Sequence, residues 1–196
     1  MRNKILLTMA AAGMMCSVPA FADGTSNQGG GVINFVGSVI TAPCSIKPES
    51  QNILVKLSDW STKQLNAENA HSDPVPVTID LSGCQFDAPV ESKIPYSKVA
   101  VTFPGTNSPT GGASKGEIVN SAANPAGNVV IQLLQADGIS PVDLTKTNPT
   151  ESAPDIIQLN TNSPTNTLQF FAQILATAPA TVGDVSAKIT YKLNYF

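Results

Sequence analysis

The sequence predicts an all-β sandwich. Apolar residues recur at every second position in several short segments, clusters rich in Pro, Gly, Asn, Ser and Thr separate those segments, and no stretch carries a sustained helical stripe. The alternation is sharpest in VPVTIDLS, where Val75, Val77, Ile79 and Leu81 interleave with Pro76, Thr78, Asp80 and Ser82. Successive side chains of a strand point to opposite faces, so this pattern buries one face and wets the other.

The remaining elements follow in chain order. Residues 53–57 read as a short strand, and SKVAVTF repeats the alternation with Val99, Val101 and Phe103. NVVIQLLQ, with its run from Val129 to Leu134, is followed by Asp137-Gly138 and then by Val142 and Leu144, which predicts a hairpin. A further strand is expected over 168–175. PGTNSPTGGASKG and NPTESAPD supply turn and loop chemistry. STKQLNAENAHS, after the lone Trp60, lacks an apolar stripe long enough to hold a helix. The last segment, AKITYKLNYF, alternates to the end of the chain: Ala187, Ile189, Tyr191, Leu193 and Tyr195 against Lys188, Thr190, Lys192 and Asn194.

The first 22 residues predict a secretory leader. Arg2 and Lys4 precede the apolar ILLTMAAAGMM stretch, and Ala20-Phe21-Ala22 supplies a small-x-small cleavage site. Cleavage after Ala22 leaves 196 − 22 = 174 residues, the size of one domain, and removing Arg2 and Lys4 takes the formal charge from −3 to −5. That acidic balance argues against a nucleic-acid partner and against an anionic membrane surface. Beyond the leader no apolar run is long enough to span a bilayer as a helix.

Cys16 falls within the leader, so Cys44 and Cys84 remain. An even pair in an exported chain predicts one disulfide; two free thiols, or half a metal site with His71 as the sole imidazole, are the competing readings. Closing such a loop stabilises a fold by about 4 kcal/mol on the chain-entropy estimate. Catalytic motifs are absent from the sequence. His71 sits in a polar segment with no GxSxG nearby, and there is no metal-ligand spacing, P-loop or dinucleotide fingerprint. Only paired carboxylates escape this test, since any two of the 14 acids could meet in space. We expect no enzymatic activity, no cofactor and no metal.

One strand-like stretch stands apart from the rest. GGGVINFVGSVITAPCSI begins behind three glycines and ends at the first retained cysteine. Its odd positions are Ile33, Phe35, Gly37, Val39 and Thr41; its even positions are Val32, Asn34, Val36, Ser38 and Ile40. Both sets are partly apolar, and a one-residue slip exchanges the faces, so alternation alone does not choose between them. Nor does it decide whether the stretch is the first strand of an ordinary closed sandwich, paired within its own chain.

A family resemblance bears on that choice. The leader, the Phe35-x-Gly37-x-Val39 pattern, the Ala42-Pro43-Cys44-Ser45-Ile46 run, a second cysteine about forty residues on, NVVIQLLQADG, and Gly183 before an alternating C-terminus with penultimate Tyr195 together resemble a chaperone–usher pilin of the type 1 and P pilus kind, most like a major shaft pilin. The resemblance covers essentially the whole chain after the leader. It implies an incomplete immunoglobulin-like β-sandwich that lacks its final strand, with a leader over 1–22, a donor-strand arm over 23–43 and a pilin domain over 44–196.

The resemblance also implies a mechanism. A groove lies open beside the C-terminal strand carrying Ile189, Tyr191, Leu193 and Tyr195. A periplasmic chaperone lends a strand to that groove during export, and at the outer-membrane usher the arm of the next subunit replaces it. These pilins are an established example of such β-augmentation. The family pattern selects Ile33, Phe35, Gly37 and Val39 as the contact face, with Gly37 where a side chain would obstruct close backbone approach. Burying Ile33, Phe35 and Val39 at about 1.5 to 3 kcal/mol each amounts to roughly 5 to 9 kcal/mol before entropy costs. The implied product is a homopolymeric surface fimbria that supports adhesion. A minor adaptor or terminator of the same system, and a self-contained secreted β-sandwich that binds carbohydrate or protein, are the competing expectations.

Overall fold

The computed structural model describes residues 31–37, 39 and 42–196; the leader expected over 1–22 and the start of the arm at 23–30 lie outside the described residues. The chain divides into two units between Val39 and Ile40.

The second unit is a two-sheet β-sandwich. Among the described residues its elements are β1 (Ser45–Ile46), α1 (Pro48–Gln51), β2 (Val75–Ser82), β3 (Lys98–Thr102), β4 (Glu117–Val119), β5 (Val129–Leu134), β6 (Ile157–Gln158), β7 (Thr165–Ala176) and β8 (Lys192–Tyr195), with a 3-10 turn at Ala113–Lys115. One sheet has the order β1-β2-β7-β5-β4 and the other β6-β3-β8. Every strand pair in both is antiparallel.

The alternation of β2 does what its sequence dictates: Ile79 and Leu81 are buried on the inner face. Register then aligns apolar residues across strands. Val77 faces Phe170 and Ile79 faces Leu168 across β2 and β7, while Ile131 faces Ile174 and Leu133 faces Ala172 across β5 and β7. Cross-strand apolar pairs of this kind each add a few tenths to about 1 kcal/mol. The second sheet brings Val99, fully buried, and the residue following β3, Phe103, whose ring meets Phe170 edge-on at 5.8 Å between centroids. That contact ties the two sheets together.

Cys44 and Cys84 are joined by the expected disulfide, their Cα atoms 4.1 Å apart. The bond links the entry to β1 with the exit from β2. α1 follows directly, started by Pro48 at a position where a missing N–H costs nothing. Ser50 anchors it, its Oγ accepting a hydrogen bond from the Asp80 N–H at 2.8 Å.

Three segments depart from the strands their alternation predicts. Residues 53–57 alternate in burial but join no ladder. The C-terminal alternation is paired only within β8, against β3; residues 187–191 are left out. After β5 the turn forms as expected, with the Asp137 carboxylate accepting from the N–H groups of Ile139 and Ser140 and with Gly138 at a positive φ of 67°. Its return leg pairs only at the Leu134–Pro141 bridge, where the Val142 N–H donates to the Leu133 carbonyl oxygen at 3.0 Å; further along, β5 is already paired with Gly116 and β4. Val142 and Leu144 are nevertheless buried, so the predicted hairpin folds onto the core without becoming a strand.

Candidate functional site

β8 is an edge strand, and an apolar cleft of about 1450 Å³ opens beside the stretch that leads into it. The floor is the inner face of the five-stranded sheet, represented by Ile79, Ile131, Phe170 and Ala172. The walls are residues 51–62 on one side and 180–191 on the other.

Both walls have the character of strands without partners. On the first, Ile53, Val55 and Leu57 are half-buried while Leu54, Lys56 and Ser58 are exposed. On the second, Ile189 and Tyr191 are half-buried while Lys188 and Thr190 are exposed. Among the described residues neither 53–60 nor 187–191 makes a backbone–backbone hydrogen bond. Backbone N–H and C=O groups are obligatory hydrogen-bonding groups, and a row of unpaired ones along an apolar cleft is a template for another strand.

The walls run antiparallel. At one end Tyr191, on the second wall, donates its hydroxyl to the carbonyl oxygen of Ser50, just before the first wall, at 2.7 Å. At the other, Trp60 and Leu57 of the first wall pack with Ala180 and Val185 of the second around Leu65, Val129 and Ile174. The second wall is seated by Gly183. Its neighbour Asp184 exchanges backbone hydrogen bonds with Asn124 and Ala126 at 2.7 and 2.9 Å, and a Cβ on Gly183 would collide with the Ala126 backbone.

Burial raises the Tyr191 phenol above its ordinary range. Burial, and after it the neighbouring Tyr191, pushes Tyr195 up to about 12. The Tyr195 hydroxyl is shielded and finds no hydrogen-bond partner among the described residues. Neither tyrosine is poised for proton transfer at neutral pH. His71 is exposed, bridges to Leu175 and places Nδ1 3.0 Å from the carbonyl oxygen of Ser72. Among the described residues no three His, Cys, Asp or Glu side chains cluster to hold a metal, and no helix is long and apolar enough to cross a membrane.

Of the residues expected to line a groove, Ile189 and Tyr191 line the cleft, whereas Leu193 and Tyr195 lie further along in β8 and pack against the core. The first wall, with Ile53, Val55, Leu57 and Trp60, is a feature that the sequence reading did not assign to a site. Its signal was the alternation over 53–57. The arm is described over residues 31–37 and at Val39, where it has no regular secondary structure. Ile33, Phe35 and Val39 are 77, 89 and 102 % exposed, and the even positions Val32 and Val36 are equally open.

The chain is similar to known proteins. Residues 33–196 match the family described as fimbrial protein, a match that begins inside the arm. The chain is 34 % identical over 194 residues to an uncharacterised fimbrial-like protein, YbgD, of Escherichia coli K12, covering 96 % of each chain. It is 31 % identical to the type-1 fimbrial protein A chain of the same organism over the full length of both. In fold it is similar to a chain of a solved chaperone–usher pilus, with a TM-score of 0.60 at 23 % identity, covering 88 % of this chain and 99 % of that one. The architecture is accordingly an incomplete immunoglobulin-like sandwich, and the chain belongs to the fimbrial protein family.

Proposed function

We propose that this chain is a structural subunit of a chaperone–usher fimbria and polymerises by donor-strand exchange, the arm of one copy entering the cleft of the next. The observation that carries this reading is the cleft whose two walls, 53–60 and 187–191, have unpaired backbones above an apolar floor. The arm is its complement in chemistry and length. Seven residues, 33–39, span about 23 Å as a strand, and the eight residues of the first wall span about 26 Å. The proposed contact face is Ile33, Phe35, Gly37 and Val39, facing Ile189 and Tyr191 with Leu193 and Tyr195 behind them.

A subunit with an empty cleft exposes a sheet edge that invites indiscriminate pairing. A periplasmic chaperone that lends a strand meets that need until an outer-membrane usher brings the next arm, and the polymer then emerges at the cell surface. The contact is heterologous: the donating and accepting surfaces differ, so it does not close on itself and builds a fibre. Carrying both an arm and an open cleft suits a shaft subunit, which must give and receive a strand.

The test is the full chain with Phe35→Asp, beside a chain lacking residues 23–41. Both should fold with the chaperone's help and remain unpolymerised in unheated gels, whereas the unaltered chain forms a ladder. Ladders from both altered chains would reject the proposal.

A further inference from the structure

We propose that Asn120 is a positioning residue for strand capture: its side chain replaces a missing strand along the rear edge of the second wall, leaving the front edge free for an incoming strand. The inference rests on the strand insertion proposed above and names what holds the accepting wall in register. β3 supports this wall only from Lys192 onward, where Thr102 pairs with Lys192 and Lys98 exchanges backbone hydrogen bonds with Phe196 at 2.9 and 3.2 Å. After Phe103 the chain leaves in a turn at Pro104-Gly105. Thr190 reaches it through a side chain alone, its hydroxyl donating to the Pro104 carbonyl oxygen at 3.0 Å.

Asn120, just after β4, supplies what β3 does not. Its Nδ2 donates to the carbonyl oxygens of Asp184 at 2.8 Å and Ala126 at 3.3 Å, and its Oδ1 accepts from the N–H groups of Ser186 at 3.0 Å and Ala122 at 3.2 Å. A carboxamide carries donor and acceptor as a peptide unit does, so this one side chain grips the wall as an adjoining strand would. Ser121 completes the grip, its N–H donating to the Ser186 carbonyl oxygen at 2.8 Å.

Parity decides which edge is held. Backbone groups of successive strand residues point to opposite edges, and Phe196, whose groups face β3, has the same parity as Asp184 and Ser186. Along an extended wall, the even positions are thus held from behind, and Ile189 and Tyr191 present their unpaired N–H and carbonyl groups to the cleft. A carboxylate at position 120 would accept but not donate, and would face two carbonyl oxygens.

The experiment uses the full chain in complex with its periplasmic chaperone. A synthetic peptide of residues 23–41 displaces the chaperone, and the second-order rate constant reports capture, whereas spontaneous chaperone release is independent of peptide concentration. Asn120→Asp should slow capture about tenfold. Asn120→Ala, which adds no charge, should also slow it and serves if the first variant yields no complex. Thr167→Ala is the control: it removes the hydroxyl that donates to Asp80 at 2.6 Å between β2 and β7, away from the wall. It should lower the urea midpoint of the peptide-filled subunit and leave the capture rate unchanged. Capture by the Asn120 variants at the unaltered rate overturns the assignment. Equal slowing in Thr167→Ala also overturns it, because Asn120 would then act through stability alone. Failure of the unaltered complex to capture the peptide would instead reject strand insertion itself.

Discussion

Tyr191 and Ser50 are joined across one end of the cleft by a hydrogen bond of 2.7 Å from the phenol to the backbone carbonyl. Ser50 is also tied to β2 through its side chain, so this end of the cleft is braced against the five-stranded sheet. Tyr191→Phe removes the brace and leaves the carbonyl without its donor. We expect a loss of about 1 kcal/mol, read as a lower midpoint in urea unfolding.

Tyr195→Phe should act in the opposite direction. The Tyr195 hydroxyl is shielded from water with no partner among the described residues, so its desolvation is uncompensated. Removing it should leave stability unchanged or raise it slightly. The same residue predicts an alkaline transition. Its folded pKa of about 12 lies above the ordinary 10.0, so the folded state holds the proton longer than the unfolded state does. The resulting stability is complete below pH 10 and is lost as pH rises through about 12. Tyr195→Phe should flatten that decline, which equilibrium unfolding at successive pH values would detect.

Gly183→Ala should weaken the second wall. A Cβ there would lie 2.6 Å from both the Ala126 Cα and the Pro125 carbonyl carbon, backbone atoms that cannot swing aside as a side chain can. Overpacking of this kind costs about 1 to 3 kcal/mol. The loss should appear in thermal unfolding, accompanied by faster hydrogen exchange at Ala126 and Asp184, whose backbone bond holds the wall in place.

Reduction of the Cys44–Cys84 bond, or Cys44→Ser, should cost about 4 kcal/mol, from the freedom returned to the loop spanning a separation of 40 residues. Unfolding with and without reductant measures it directly. An unchanged midpoint would contradict this account, in which the bond acts by restricting the unfolded chain.

Gly37→Leu separates the arm's two states. In the free arm a Cβ at Gly37 meets nothing within 4 Å, so the substitution should leave folding of the subunit untouched. Insertion presses the same position against another backbone, where a bulky side chain obstructs pairing. The expected outcome is a stable subunit that polymerises slowly or not at all; polymerisation at the unaltered rate would place Gly37 on the outward face.

Four strands were legible because each carries five residues or more of alternating or continuous apolar character: β2 alternates, β5 is a near-continuous buried run, and β3 and β7 combine the two. β1, β4 and β6 have two or three residues, too few for a period to emerge from sequence. The informative mismatch lies over 53–57 and 187–191. Both alternate as strands do, yet neither pairs, because alternation reports which face is buried and is silent on what lies along the edge. Ile189 and Tyr191 could be assigned to the cleft because their segment carried a family signature. Ile53, Val55 and Trp60 could not, since the wall they form becomes a site only when the second wall stands opposite.

The most direct measurement is backbone hydrogen exchange at residues 53–60 and 187–191 in the free subunit and in the assembled fibre. If the arm of a neighbouring copy fills the cleft, amides on both walls should exchange rapidly in the subunit and become strongly protected in the fibre, together with those of residues 33–39. Fibres whose wall amides exchange as fast as those of the subunit would contradict donor-strand insertion.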